Sequence, residues 1–102
     1  ALADPSSAEA KRDVSVSLNN VGRIKAAQGD AAGALDAYQR SLEIAEALAL
    51  ADPSSAEAKR DVSVSLNIVG QIKAAQGDAE GALDAYQRSL EIREALALAD
   101  PS

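Results

Sequence analysis

The chain has 102 residues, of which 47% are apolar, and a net charge of −6. This negative charge argues against a surface for nucleic acid or for an anionic membrane, because both need clustered cations. His and Cys are absent, which removes the commonest general base, nucleophile and metal ligands. We therefore expect neither an enzyme nor a cofactor.

The chain is an internal repeat. Residues 1–48 recur as residues 49–96, and residues 97–102 begin a third copy. The two copies differ at four of 48 positions, which are Asn20 against Ile68, Arg23 against Gln71, Ala32 against Glu80, and Ala45 against Arg93. A period of this length indicates a helical solenoid, in which no single unit buries its apolar face alone.

The first helix of each repeat is predicted over about 7–28 and about 55–76. Ser6 and Glu9 have the spacing of a capping box, in which a hydroxyl and a carboxylate each satisfy a free amide at the helix start. Ser54 and Glu57 repeat this spacing.

Apolar residues recur at spacings of three and four through this first segment, which is typical of one helix face. The stretch 14–18 also alternates Val-Ser-Val-Ser-Leu, a pattern that favours a strand. The helical spacing continues through that stretch without turn residues, and we therefore predict a helix. The apolar row consists of Ala10, Val14, Leu18, Val21 and Ile24.

The second helix of each repeat is predicted over about 31–50 and about 79–98. Gly29 suits a left-handed residue after the first helix, and Asp30 suits the N-cap of the second. Tyr38 and Tyr86 could stack on a ligand, but their place in the apolar row favours a position in the core. Surface ion pairs are expected at a spacing of four residues, between Asp36 and Arg40 and between Asp84 and Arg88.

The pattern Leu18-x-x-Val21-Gly22-x-x-Lys25, followed by Ala34-x-x-x-Tyr38, resembles the tetratricopeptide repeat. The usual period of that family is about 34 residues, so we interpret the longer period as two lengthened helices per unit. The fold expected is an all-α solenoid of tandem antiparallel helical hairpins. A glycine in the middle of a helix, as at Gly22 and Gly70, predicts that another helix passes close by.

The resemblance implies that the first helix of each unit lines a concave groove that binds a protein or peptide. Asn19 and Asn67 have an alternative role, in which they bridge adjacent helices or face water. Two of the four differences between the copies lie on this surface, at 20/68 and 23/71. The candidate ligand contacts are Asn19, Asn20, Arg23, Ala26, Ala27, Asn67, Ile68, Gln71, Ala74 and Ala75.

The ends of the array carry the same apolar rows as its middle, and neither has the polar outer face of a capping repeat. We therefore expect the chain to form a homo-oligomer through its ends, either head to tail or as a swapped dimer. Two functions follow from the sequence. The first is a non-enzymatic scaffold that binds a protein or peptide. The second is an engineered or idealised structural repeat that self-associates and has no natural ligand.

Overall fold

The computed structural model of the chain describes residues 7–99. Four helices follow one another, α1 (Ala8–Ala27), α2 (Ala31–Ala51), α3 (Ala56–Ala75) and α4 (Ala79–Ala99). No strand occurs between residues 7 and 99, and the stretch 14–18 lies inside α1. The prediction of an all-α helical repeat is thus confirmed.

Helices that are consecutive in the chain pack side by side, α1 on α2, α2 on α3 and α3 on α4. The Cα atoms extend over 39 × 38 × 19 Å, so the helices form a broad and shallow array. None of the helices within residues 7–99 has the length and apolarity that crossing a membrane requires.

The turn between the helices of each repeat is very tight, as the sequence predicts. Gly29 has a φ of +84° and Gly77 a φ of +86°, a backbone conformation that favours glycine. Asp30 then caps α2, because its carboxylate accepts a hydrogen bond from the N–H group of Gly33 at 2.9 Å. Asp78 repeats this contact at the start of α4.

The predicted caps of α1 and α3 are wrong by one residue. Ser6 lies outside the described residues, and the N-cap of α1 is Ser7. In the second copy Ser55 caps α3, and its hydroxyl accepts from the N–H group three residues further on at 3.1 Å. Ser54 is instead held in the preceding turn, because its hydroxyl donates to Asp52 Oδ1 at 2.7 Å.

The main core lies between the two repeats, where α2 packs on α3. Tyr38 is 7% exposed in this core, whereas Tyr86, its counterpart on α4, is 38% exposed. The core prediction therefore holds for Tyr38 and only in part for Tyr86. The buried members of this inter-repeat core are Ala34, Tyr38, Leu42, Ala45, Val62, Leu66, Val69 and Ala85.

Glycine allows the two helices of each repeat to approach closely, as the sequence predicts. A Cβ atom on Gly22 would lie 2.8 Å from Cε2 of Tyr38, and one on Gly70 would lie 3.0 Å from Cε1 of Tyr86. The tyrosine ring thus occupies the space that a side chain on the first helix would need.

Buried serines join the same helix pairs. The hydroxyl of Ser41 on α2 donates to the backbone carbonyl of Ser15 on α1 at 3.0 Å. Ser89 on α4 donates to the carbonyl of Ser63 on α3 at 3.1 Å. A buried hydroxyl needs such a partner, because an unsatisfied one costs about 1–3 kcal/mol.

The glycine contacts predict different effects of one substitution in the two copies. Gly→Ala in a helix gains about 1 kcal/mol from propensity, but overpacking costs about 1–3 kcal/mol. Because Tyr38 is enclosed, Gly22→Ala should lower the free energy of unfolding in a urea titration. Gly70→Ala should be neutral or stabilising, because the half-exposed Tyr86 can move. Equal effects in both copies would contradict this account.

The cap of α3 can be tested with two neighbouring serines. Ser55→Ala should lower the free energy of unfolding by about 1 kcal/mol, the usual value of an N-cap. Ser54→Ala is the matched control and should change it by less than about 0.5 kcal/mol, as exposed surface substitutions do. Urea unfolding followed by circular dichroism measures both. A larger loss of unfolding free energy for Ser54→Ala than for Ser55→Ala would mean that Ser54 is the N-cap.

Candidate protein-binding surface

A small hollow of about 50 Å³ lies between α1 and α3, the first helices of the two repeats, with Ser41 and Ala45 of α2 also lining it. Val16 on α1 and Val64 on α3 line it and are 44% and 40% exposed. Asn19 lines the hollow from α1 and is half-buried. Two apolar side chains and one amide therefore share a surface to which both repeats contribute.

The amide of Asn19 has an unused acceptor. Its Oδ1 atom is buried and accepts no hydrogen bond from residues 7–99. A buried acceptor without a partner costs about 1–3 kcal/mol. Because this atom has almost no accessible surface, a donor such as a backbone N–H group can reach it only when the Asn19 side chain turns toward the open side of the hollow.

An ion pair ties the two first helices together beside this hollow. Arg12 Nε on α1 lies 2.9 Å from Asp61 Oδ2 and 3.4 Å from Glu57 Oε1, both on α3. The hydrogen bond to Asp61 raises the pKa of Arg12 above its ordinary value. With its charge engaged by two carboxylates, Arg12 offers little net positive potential to a ligand.

The second helices are also bridged by an ion pair. Arg88 Nη2 on α4 lies 2.7 Å from Glu46 Oε2 on α2. The pairs expected within one helix, Asp36 with Arg40 and Asp84 with Arg88, are absent from residues 7–99. Arg88 pairs with a carboxylate of the adjacent repeat in place of Asp84.

The candidate residues of the first copy divide into two places. Asn19 lies in the hollow, as described above. Asn20 and Arg23 are exposed and touch each other, since Arg23 Nη2 donates to Asn20 Oδ1 at 3.3 Å. Ala26 and Ala27 are exposed at the end of α1. The hollow is lined by none of these last four residues.

The candidate residues of the second copy are also dispersed. Asn67 is half-buried, and Ile68 is half-buried against the inter-repeat core. Gln71 is exposed, and so are Ala74 and Ala75 at the end of α3. The structure thus brings Asn19 into a hollow and leaves most of the predicted set spread along two helices.

Val16, Val64, Arg12 and Asp61 were not predicted from the sequence. The signal for the valines was the alternation at 14–18, which sets Val16 about 200° around the helix from Val14. The alternation therefore indicated an apolar residue on a second, exposed side of the helix. The ion pair joins residues 49 positions apart, and no short-range spacing rule covers such a distance.

A larger hollow of about 560 Å³ lies between α2, α3 and α4. Leu50, Val62 and Ile92 give it apolar walls, and Glu46 lies at its margin. None of the predicted binding residues lines it. It is a second surface on which an apolar group could rest.

Residues 13–95 match the family model described as tetratricopeptide repeat, which covers most of the chain. The chain belongs to the tetratricopeptide repeat family. No curated protein and no solved structure matches it. Repeats of this family are typically non-enzymatic modules for protein–protein interaction, and the resemblance predicted from Leu18 to Tyr38 is confirmed.

Several acidic side chains of this tetratricopeptide repeat chain cap helices or bridge the two repeats. Residues 7–99 contain no group of three or more His, Cys, Asp or Glu residues that could hold a metal ion. The carboxylates of Asp30 and Asp61 illustrate the two uses, since one caps α2 and the other binds Arg12.

The unused acceptor predicts that Asn19 destabilises this tetratricopeptide repeat chain. Asn19→Leu should raise the free energy of unfolding by about 1–2 kcal/mol, because it removes an unsatisfied buried oxygen. Asn67→Leu is the matched control, since both changes bring the same gain in helix propensity. Urea unfolding measures the difference, and an equal gain at the two positions would contradict it.

Proposed function

We propose that the chain binds an extended segment of a protein or peptide on the first-helix surface. This surface consists of Val16, Asn19, Asn20 and Arg23 on α1 and of Val64, Asn67 and Gln71 on α3. The family supports protein–protein interaction in general, and the proposal assigns it to this face. Val16 and Val64 take an apolar side chain, while Asn19 accepts from the backbone of the ligand.

The unpartnered Oδ1 atom of Asn19 is the observation that carries the proposal. A helix-interior Asn that lacks a partner is a cost to folding, and a ligand that donates to it recovers that cost on binding. The exposed valines beside it supply apolar area, since burial contributes roughly 25 cal/mol per Å².

The charges of the surface indicate the kind of ligand. Arg12 is already paired with Asp61 and Glu57. Among the seven residues of the surface Arg23 is the one cation, and its counterpart Gln71 is neutral. This arrangement favours an uncharged or weakly acidic apolar segment over a strongly acidic one, because a cluster of free cations is what strong acidic recognition needs.

Peptide display against the whole chain tests the proposal. Selected peptides should be enriched in apolar residues, and their dissociation constants can be measured by fluorescence anisotropy. Asn19→Ala removes one hydrogen bond, so binding should weaken by about threefold to tenfold. Val64→Asp places a carboxylate in the apolar strip and should weaken binding further.

Arg40→Ala is the control for these variants, since Arg40 is exposed on α2 and lies outside the first-helix surface. It should leave the affinity unchanged. Peptides that bind Asn19→Ala and Val64→Asp as tightly as the original chain would overturn the assignment to this surface, although not the binding itself.

The exposed apolar faces at the two ends favour a second function, a structural repeat that associates with itself. Val14 on α1 and Leu90 on α4 are both exposed, although their counterparts in the other copy are buried. This function uses the ends of the array and shares only Asn20 with the first-helix surface, so the rest of that surface stays open.

A further inference from the structure

Equivalent apolar residues of the two copies differ in their exposure to solvent. Val62 on α3 is 5% exposed, while its counterpart Val14 on α1 is 51% exposed. Leu42 on α2 is 8% exposed, while its counterpart Leu90 on α4 is 56% exposed. Position in the array causes the difference, since α2 and α3 cover each other whereas α1 and α4 stand at the ends.

The two exposed faces are the two halves of one interface. The outer face of α1, defined by Val14, Leu18, Val21 and Ile24, repeats the face by which α3 packs on α2. The outer face of α4, defined by Leu83, Tyr86 and Leu90, repeats the face by which α2 packs on α3. The chain thus carries an interface and its complement at opposite ends.

We propose that copies of the chain stack head to tail, with the outer face of α4 in one copy on the outer face of α1 in the next. The register is that of α2 on α3, so residues 7–99 of the second copy continue the array with the same 48-residue period. This proposal rests on the self-association named above as the second function, and it specifies the surfaces and their orientation.

Charge complementarity supports this register. Moved by one period, the pair of Arg12 with Asp61 becomes Arg60 with Asp13 of the next copy. The pair of Arg88 with Glu46 becomes Arg40 of the next copy with Glu94. None of these four residues forms an ion pair within residues 7–99, so both bridges are available at the junction.

Two of the four differences between the copies weaken the junction relative to the inner interface. Ile68 packs against the inter-repeat core, and its counterpart on the outer face of α1 is Asn20. Ala45 is 3% exposed in the core, and its counterpart on α4 is Arg93. We therefore expect stacking to be reversible and to depend on protein concentration. Asn20 and Arg93 weaken each junction and so limit the length of the open-ended assembly.

Two variants test the orientation by complementation. Leu90→Glu disables the outer face of α4, and Val14→Glu disables the outer face of α1. Sedimentation velocity over a concentration series should show association for the original chain and monomers for each variant alone. An equimolar mixture of the two variants should form a dimer and stop there, because each partner contributes one intact face.

Leu50→Glu is the matched control, since Leu50 is exposed but lies on neither outer face, and it should associate as the original chain does. Circular dichroism of every variant checks that the helices are retained. A variant that dimerises alone would overturn the proposal, because a symmetric contact then joins two like faces. If the original chain associates but the mixture stays monomeric, the chain self-associates by another contact and the head-to-tail register is wrong.

The double substitution Asn20→Ile with Arg93→Ala restores the inner sequence on both outer faces. It should lower the dissociation constant for stacking by about tenfold or more, equivalent to about 1.4 kcal/mol. The size distribution in sedimentation velocity should then shift to longer assemblies. If both the original chain and this double variant remain monomeric up to millimolar concentration, both the register and the self-association are wrong.

Discussion

The ring of Tyr38 is the contact on which the rest of the array depends. It lies against Gly22 of α1 and also belongs to the core that α2 forms with α3. One side chain thus fixes the hairpin of the first repeat and the junction between the repeats. The other buried members of that core are Ala, Val and Leu, so Tyr38 is its one aromatic residue within residues 7–99.

Near-identical sequences fold here into repeats with unequal surroundings. Each helix of the inner pair is covered on two sides, and each helix at an end is covered on one. This is a general property of solenoids, in which stability is the sum of repeat terms and nearest-neighbour terms. Within residues 7–99, α1 and α4 each pack against one helix only. Their exposed apolar residues lie on the faces that a second neighbouring helix would cover.

Local features were predicted well from the sequence, because each depends on a few adjacent residues. The turn at Gly29 and Asp30 and the close approach at Gly22 are examples. The cap at Ser55 was missed because two serines compete, and the turn through Asp52 engages the first. Ion pairs between repeats were missed because they join residues 42 and 49 positions apart. Of the proposed binding surface, Asn19 was singled out from the sequence for its poor fit in a helix, whereas the neighbouring valines were not, because their alternating pattern was interpreted only as a strand signal.

The hydrogen bonds of the buried serines restrict which positions can be substituted as the two copies diverge. Ser41 and Ser89 donate to backbone carbonyls, and every amino acid at the acceptor position supplies the same carbonyl. The acceptor positions can therefore change their side chains without losing the bond, as long as the replacement is small enough for the helices to stay close. The donor positions lack this freedom, so Ser41 and Ser89 should be substituted later than Ser15 and Ser63 as the two copies diverge.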